Sequence, residues 1–371
     1  MKIALFAWGR EDDANVWSGT PNTLKKLLKE KGHDTVHIDM SAMLTRRHYQ
    51  LRTILIKLGF NGLEKLPILF QHVGKEVNVI DNSLEDGASL LFVSCNAINK
   101  PLKETHHAYV YLDAVISPRL EFSPKPSFPK SLFREFGLKK YEEYDKRSYS
   151  FATRIFTQNE WTRKYIIESY GLPEEKVVNV GFGVNLTFYK EAKNYKRNLL
   201  LIVLRKGLEE PKGLNLLLPA FRIARQTVKD LELAVVGTDG PKEEGVFYYY
   251  NQPRTTTVQL FKECTLYTMP ALNEPNGITY LEALANKAPI LGLERFSVPE
   301  FAGYGKYGFY TSSATPHAVA KLIVEALSDK NRLRAMGEAG QEFVEERYTW
   351  NKVIDQMIEI MQMPYHESFT L

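Results

Sequence analysis

Two glutamates eight residues apart, Glu274 and Glu282, stand in the stretch EPNGITYLEALANKAPIL, residues 274–291. Just before it runs LYTMPAL, residues 266–272, an apolar run that reads as a buried strand ending in a loop. Strand, loop and helix N-terminus, in that order, aim backbone N–H groups and the positive end of a helix beyond the strand. That is a site for an anion, and phosphate is the usual one. Pro275 suits a first helical turn, since its missing N–H costs nothing there, and this leaves Glu274 in the loop at the helix mouth. Glu282 lies about two turns further on. One carboxylate at the mouth and one deeper can hold two hydroxyl-bearing parts of a single ligand. The same spacing also describes an ordinary amphipathic helix with an acidic N-terminus.

A second cluster is basic. Residues 198–204 form a continuous apolar run, as a buried parallel strand should, and RKGLEEPKGL follows. Arg205 stands at the end of that run with Lys206 beside it, and Lys212 with Gly213 opens a helix. Arg suits bidentate phosphate contact, whereas Lys acts as a point charge. Alone, a basic loop is weak evidence. Its weight comes from preceding the two glutamates in another strand–loop–helix unit of the same chain.

The elements that must position these residues alternate strand and helix. Residues 3–8 read as a buried first strand. A helix follows that Ser18 or Thr20 can cap, with Pro21 in its first turn and Gly32 at its end, and residues 35–38 read as a second strand. This βαβ unit implies a parallel sheet. It lacks a GxGxxG fingerprint; only Gly19 lies near the helix start. Further strands are expected at 90–94, 109–112, 152–157, 176–180, 233–237, 290–293 and 307–311. Helices are expected at 132–150, after Asn159, at 316–327 and at 330–346. Residues 43–66 carry Arg46, Arg47, His48, Arg52 and Lys57 among apolar residues. They read as an amphipathic basic helix, either on an anionic surface or packed on a core with a solvated basic face. The proline-rich residues 117–131 read as an extended loop, and residues 243–257 as poorly patterned surface.

Composition bounds the function. The chain has 371 residues, 44% hydrophobic and 25% charged, which is ordinary for a folded protein long enough for two domains. No apolar run is long enough for a membrane-crossing helix, and residues 1–8 do not make a signal peptide. The two cysteines, Cys95 and Cys264, match no metal spacing and no disulfide framework, so a reducing cytoplasm is the expected compartment. A formal net charge of +4 permits an anionic partner without pointing to nucleic acid.

The stretch 274–291 resembles the donor-site motif of retaining glycosyltransferases of the GT-B fold, family 4 in particular. That motif reads Glu, Pro, any residue, Gly, three residues, Leu-Glu-Ala, then a small residue and Pro before a strand. Glu274, Pro275, Gly277, Leu281, Glu282, Ala283, Ala285 and Pro289 fit it, while Lys287 stands where the family usually has Gly. The resemblance implies an α/β fold of two facing Rossmann-like domains. Residues 1–185 would form the acceptor-side domain and 186–347 the sugar-nucleotide domain. Residues 348–371 would be a closing helix and tail returning to the first. By the same resemblance Glu274 contacts the donor sugar and Glu282 the ribose. Backbone amides across Asn276, Gly277 and Ile278 would meet the diphosphate, as would Arg205 and Lys212, and Glu274, Lys212 and Arg205 form the catalytic set.

In the first domain, Gly19 would let the backbone approach the ligands. Trp17 and Asp13 are acceptor-side candidates by position. Asp113 stands at a strand end where related transferases often carry His. Each of the last three also reads as an ordinary loop residue. The implied partners are a nucleotide-sugar donor and a glycan, lipid-linked or other hydroxyl acceptor, with peripheral membrane association as an option. No metal or other cofactor is expected. On the same fold, a sugar-nucleotide epimerase, a glycan phosphorylase or a catalytically silent nucleotide-sugar-binding module are the alternatives.

Overall fold

A computed structural model describes residues 1–10, 16–44, 50, 68–95, 97–115 and 130–363. Asp13, most of the basic stretch 43–66 and nearly all of the proline-rich stretch 117–131 lie outside the described residues.

One compact unit comprises Met1–Gln158, Thr162–Val180 and Val353–Leu371. Its six parallel strands are β1 (Lys2–Ala7), β2 (Asp34–Asp39), β3 (Ser89–Val93), β4 (His107–Leu112), β5 (Arg154–Thr157) and β6 (Val177–Asn179), in the order β2-β1-β3-β4-β5-β6. The inner strands β1, β3 and β4 are buried almost throughout, which is why they read as unbroken apolar runs rather than alternating ones. Phe6 and Phe92 stack at 4.6 Å across β1 and β3. The described helices are α1 (Thr20–Glu30), α2 (Ile68–Ser83), α3 (Lys130–Ser150) and, from Thr162 onward, α4 (Glu160–Tyr170). Neither Ser18 nor Thr20 caps α1: its N-cap is Gly19, at φ 78°, with no side-chain cap bond. Thr20 is already helical and buried, and Pro21 follows it in the first turn.

The second unit comprises Asn159–Trp161 and Gly181–Lys352. Its strands are β7 (Leu199–Val203), β8 (Glu232–Val236), β9 (Val246–Tyr249), β10 (Leu266–Thr268), β11 (Ile290–Leu293) and β12 (Gly308–Thr311). They are again all parallel, in the order β12-β11-β10-β7-β8-β9. Its helices are α5 (Leu214–Thr227), α6 (Arg254–Glu263), α7 (Ile278–Ala285), α8 (Val298–Phe301), α9 (Pro316–Ser328) and α10 (Lys330–Arg347). The stretch 243–257, unpatterned in sequence, holds β9 and the start of α6. As the edge strand, β9 buries only Val246 fully and exposes Phe247, so it shows no clean apolar run. The last helix, α11 (Trp350–Gln362), belongs from Val353 onward to the first unit. There Val353, Ile354, Met357 and Met361 are buried, the Tyr109 hydroxyl donates to the Met361 carbonyl at 3.2 Å, and Lys31 pairs with Asp355 at 2.6 Å.

From β7 the second sheet grows through β8 and β9 on one side and through β10, β11 and β12 on the other. The strand order therefore reverses between β7 and β10. Ligands of open α/β sheets bind beyond the carboxyl ends of strands at such a reversal. The loops leaving β7 and β10 are those that carry Lys212 and Glu274.

Candidate active site

Local chemistry brings these two loops together. Pro211, in the loop after β7, accepts at its carbonyl from the N–H groups of Leu272 and Asn273, at 2.9 and 3.1 Å. Gly213 is the N-cap of α5 in the left-handed region, φ 81°, and a Cβ there would lie 2.0 Å from the Pro270 carbonyl oxygen. Only glycine meets both demands. Between these ties, Lys212 is delivered to Glu274, and the two side chains form a largely buried ion pair.

Glu274 is held on its other oxygen as well. Its Oε1 accepts from the Gly277 N–H at 2.9 Å, while Oε2 takes Lys212. This bond corrects the expected start of the helix. Pro275 is not in its first turn; α7 begins at Ile278, with Gly277 as a left-handed N-cap at φ 60°. Glu274 closes residues 274–277 into a turn ahead of the helix, and a Cβ on Gly277 would sit 2.4 Å from the Tyr280 ring. The Tyr280 N–H returns to the Gly277 carbonyl at 2.9 Å, and Ile278 and Thr279 are the first-turn amides that helix geometry leaves without an acceptor inside α7.

Asn276 is part of the scaffold. Its Oδ1 accepts from Asn159 Nδ2 at 3.1 Å, and its carbonyl accepts from the Ser297 hydroxyl at 3.1 Å. Below it, α7 is pinned to β10. The Tyr280 hydroxyl donates to the Met269 carbonyl at 2.5 Å, the Tyr267 hydroxyl donates to Thr279 at 2.7 Å, and the two rings meet edge to face at 5.7 Å.

Glu282, in the middle of α7, is buried to 8% exposure. Its Oε1 accepts from Arg254, the first residue of α6, at 3.2 Å, and Arg254 also donates to the Asn185 carbonyl at 3.3 Å. Burial raises the Glu282 carboxyl to about 7, and Arg254 holds it from rising further. A carboxylate poised there takes a proton or a hydroxyl hydrogen bond with little cost.

Arg205 and Lys206 separate clearly. Lys206 pairs with Asp239 at 2.9 Å and lies 4.7 Å from the centre of the Tyr250 ring. Arg205 is exposed at the end of β7, and its carbonyl accepts from Leu208 at 2.9 Å to turn the loop.

The remaining candidates lie in the first unit. Gly19 caps α1, and Trp17 meets the Tyr111 ring edge to face at 5.7 Å, packing on its own unit. Asp113 follows β4, and its carbonyl accepts from the Thr162 hydroxyl at 3.1 Å. Among the described residues, no group of three or more His, Cys, Asp or Glu side chains is placed to hold a metal ion. Both cysteines are buried free thiols, pushed up by burial to about 12 at Cys95 and about 11 at Cys264.

The departure at Lys287 costs the turn little of its shape. Lys287 itself adopts the left-handed conformation, φ 55°, that glycine would take there. Its carbonyl accepts from the Tyr195 hydroxyl at 2.5 Å and its Nζ donates to the Glu191 carbonyl at 2.9 Å. These bonds offset the roughly 1–2 kcal/mol that a left-handed non-glycine residue costs. Sequence reading missed Arg254, because the stretch around it showed no pattern and its partner lies 28 residues away.

Residues 185–343 match the family described as "Glycosyl transferases group 1". Over 172 residues the chain is 24% identical to D-inositol 3-phosphate glycosyltransferase of Corynebacterium urealyticum, covering 41% of this chain and 40% of that protein. Over 236 residues it is 22% identical to the amylovoran biosynthesis glycosyltransferase AmsK of Erwinia amylovora, covering 56% and 58%. The matched region thus spans less than two thirds of either relative. Among solved structures, sucrose-phosphate synthase of Thermosynechococcus elongatus superposes with a TM-score of 0.69 at 12% identity, over 97% of this chain and 98% of that one. Residues 185–343 thus carry a match to the group 1 glycosyltransferases, in a chain with the two-sheet GT-B fold.

Proposed function

We propose that the protein is a retaining glycosyltransferase that moves a sugar from a nucleotide-sugar donor to a hydroxyl group of a glycan or lipid-linked acceptor. The observation that carries the reading is the joining of the β7 and β10 loops, which sets Lys212 against Glu274 at the mouth of α7 with Glu282 deeper on the same helix. In this reading Glu282 accepts from the ribose hydroxyls. Glu274, held in place by Lys212 and the Gly277 N–H, orients the sugar. Lys212, Arg205 and the Ile278 and Thr279 amides meet the negative charge that grows on the departing diphosphate. These groups do the work without a metal, and activity is expected to survive a chelator. Retention follows from departure and attack on one face of the sugar, with the leaving phosphate taking the acceptor proton.

The names of relatives support a sugar donor and a hydroxyl acceptor without choosing either. Among the described residues, no helix is long and apolar enough to cross a membrane. Peripheral association with a membrane that carries a lipid-linked acceptor is read by liposome flotation. A thermal-shift panel of UDP, GDP, ADP, CMP and their sugar conjugates is the first test, since a ligand of the folded state raises Tm by mass action. A selective shift with one nucleotide sets the donor class. No shift with any of them would overturn the donor-site reading.

A further inference from the structure

The back of the donor-site helix is held by a buried cation that the reading above does not use. Lys193 is 5% exposed, and its Nζ donates to three backbone carbonyls: Phe261 at 2.8 Å, Lys262 at 2.9 Å and Asn286 at 2.9 Å. An ammonium has three N–H groups, so all are spent. Phe261 and Lys262 lie in the last turn of α6; Asn286 is the C-cap of α7. Each helix end carries a partial negative charge, and one ammonium answers both. Neighbouring bonds hold α7 alone: Gln341 and the Tyr189 N–H both donate to the Ala285 carbonyl, at 2.6 and 3.2 Å, and Asn286 Nδ2 donates to the Glu282 carbonyl at 2.8 Å. Lys193 joins the C-terminal ends of α7 and α6.

Arg254, the first residue of α6, meets Glu282 in the middle of α7 through the 3.2 Å bond described above. About 12 Å of α6 separates Arg254 from its pinned end, at about 1.5 Å per residue. A tilt of about 10° around that end would carry Arg254 about 2 Å, enough to break the bond.

We propose that Lys193 is a positioning residue of the donor site: by tying the C-terminal carbonyls of α6 and α7 to one ammonium, it sets the reach between Arg254 and Glu282. Its bearing on activity rests on the donor-site reading of Glu282. Arg254 on α6 and Tyr267 on β10 are the titratable or charged groups that sense Glu282, and Cys264, Lys287 and Glu263 are those that sense Lys193.

The test is a pH titration of the Glu282 carboxyl carbon in the full chain carrying 13C-labelled glutamate, the signal being identified by its loss in Glu282→Gln. Lys193→Met is expected to raise the midpoint by about half a unit or more, the effect of a partly exposed Arg254 moving away. Arg254→Gln is expected to give the same rise, and the double variant no more than either alone. An unmoved midpoint in folded Lys193→Met with only a lower Tm would overturn the proposal. So would a rise that persists undiminished in the Arg254→Gln background, which would report plain loss of a nearby charge. If Lys193→Met does not fold, Lys193→Arg is read instead. Its planar fork cannot serve three converging carbonyls, so a raised midpoint is expected and an unmoved one overturns the proposal. No nucleotide enters these titrations. Nucleotide affinity unchanged in Glu282→Ala would sink the donor-site reading and leave the clamp standing.

Discussion

Glu282 makes the sharpest residue-scale prediction. Its folded carboxyl is raised from 4.5 to about 7 by burial, so between those values the folded state binds more protons than the unfolded chain. Stability should therefore fall as pH rises from about 4.5 to 7 and level off above. The contribution is at most roughly 3 kcal/mol, from about 2.5 pH units at 1.36 kcal/mol each. Denaturant melts of Glu282→Gln at pH 5 and pH 8 should lose that slope. A ribose hydroxyl favours the ionised acceptor, so affinity for a nucleotide sugar, whose diphosphate has no terminal phosphate to titrate near pH 6, should weaken from pH 8 to pH 6 in the native protein and become flat in the variant. At Lys212 the expected loss is in turnover. Lys212→Ala should lower kcat by about 10²–10³-fold, the range for removing one group aimed at developing charge. Steady-state kinetics with the identified donor check this, and an unchanged kcat would remove Lys212 from the chemistry.

At the scale of elements, the donor loops depend on two close backbone approaches. A methyl group on Gly213 would strike the Pro270 carbonyl and would also have to accept a left-handed φ. Gly213→Ala is thus expected to destabilise the second unit by more than about 2 kcal/mol and to weaken nucleotide binding with it. Gly32→Ala is the control: its φ is equally positive at 83° but nothing lies near its Cβ, so only the backbone cost of about 1 kcal/mol should appear in the melt. Helix α7 is held in a similar way from behind. Gly337 and Gly340 of α10 allow contact so close that a Cβ would fall 2.4 Å from the Lys287 carbonyl oxygen and 2.6 Å from the Leu284 side chain. A helix this short and this buried takes its position from its neighbours rather than from its own propensity.

At the scale of the whole molecule, the chain builds two units with separate cores and then sends its last described helix to the first of them. Helix α11 buries Val353, Ile354, Met357 and Met361 there. Ile354→Ala should cost that unit about 2–4 kcal/mol. Hydrogen exchange should show lost protection in β1 and β4, with β7, β8 and β10 unchanged. Loss spread evenly over both sheets would mean that the two units do not unfold separately.

The sequence by itself determined a good deal. Apolar runs of four to seven residues marked β1, β3, β4 and β7 because both faces of those strands are covered. The Glu–Pro–x–Gly–x4–Glu spacing marked the strand–loop–helix unit around α7, since strand, loop and helix follow one another within one local segment. Tertiary structure alone decided which distant groups meet. Lys212 finds Glu274 across 62 residues, Arg254 finds Glu282 across 28, and Lys193 reaches Asn286 across 93. Local periodicity reports only which face of an element is buried. Which loops become neighbours is set by strand order, here the reversal between β7 and β10. The pre-helical turn at Glu274 was misread for the same reason in miniature: a single carboxylate-to-amide bond moved the helix start from Pro275 to Ile278, and no residue pattern announces such a bond.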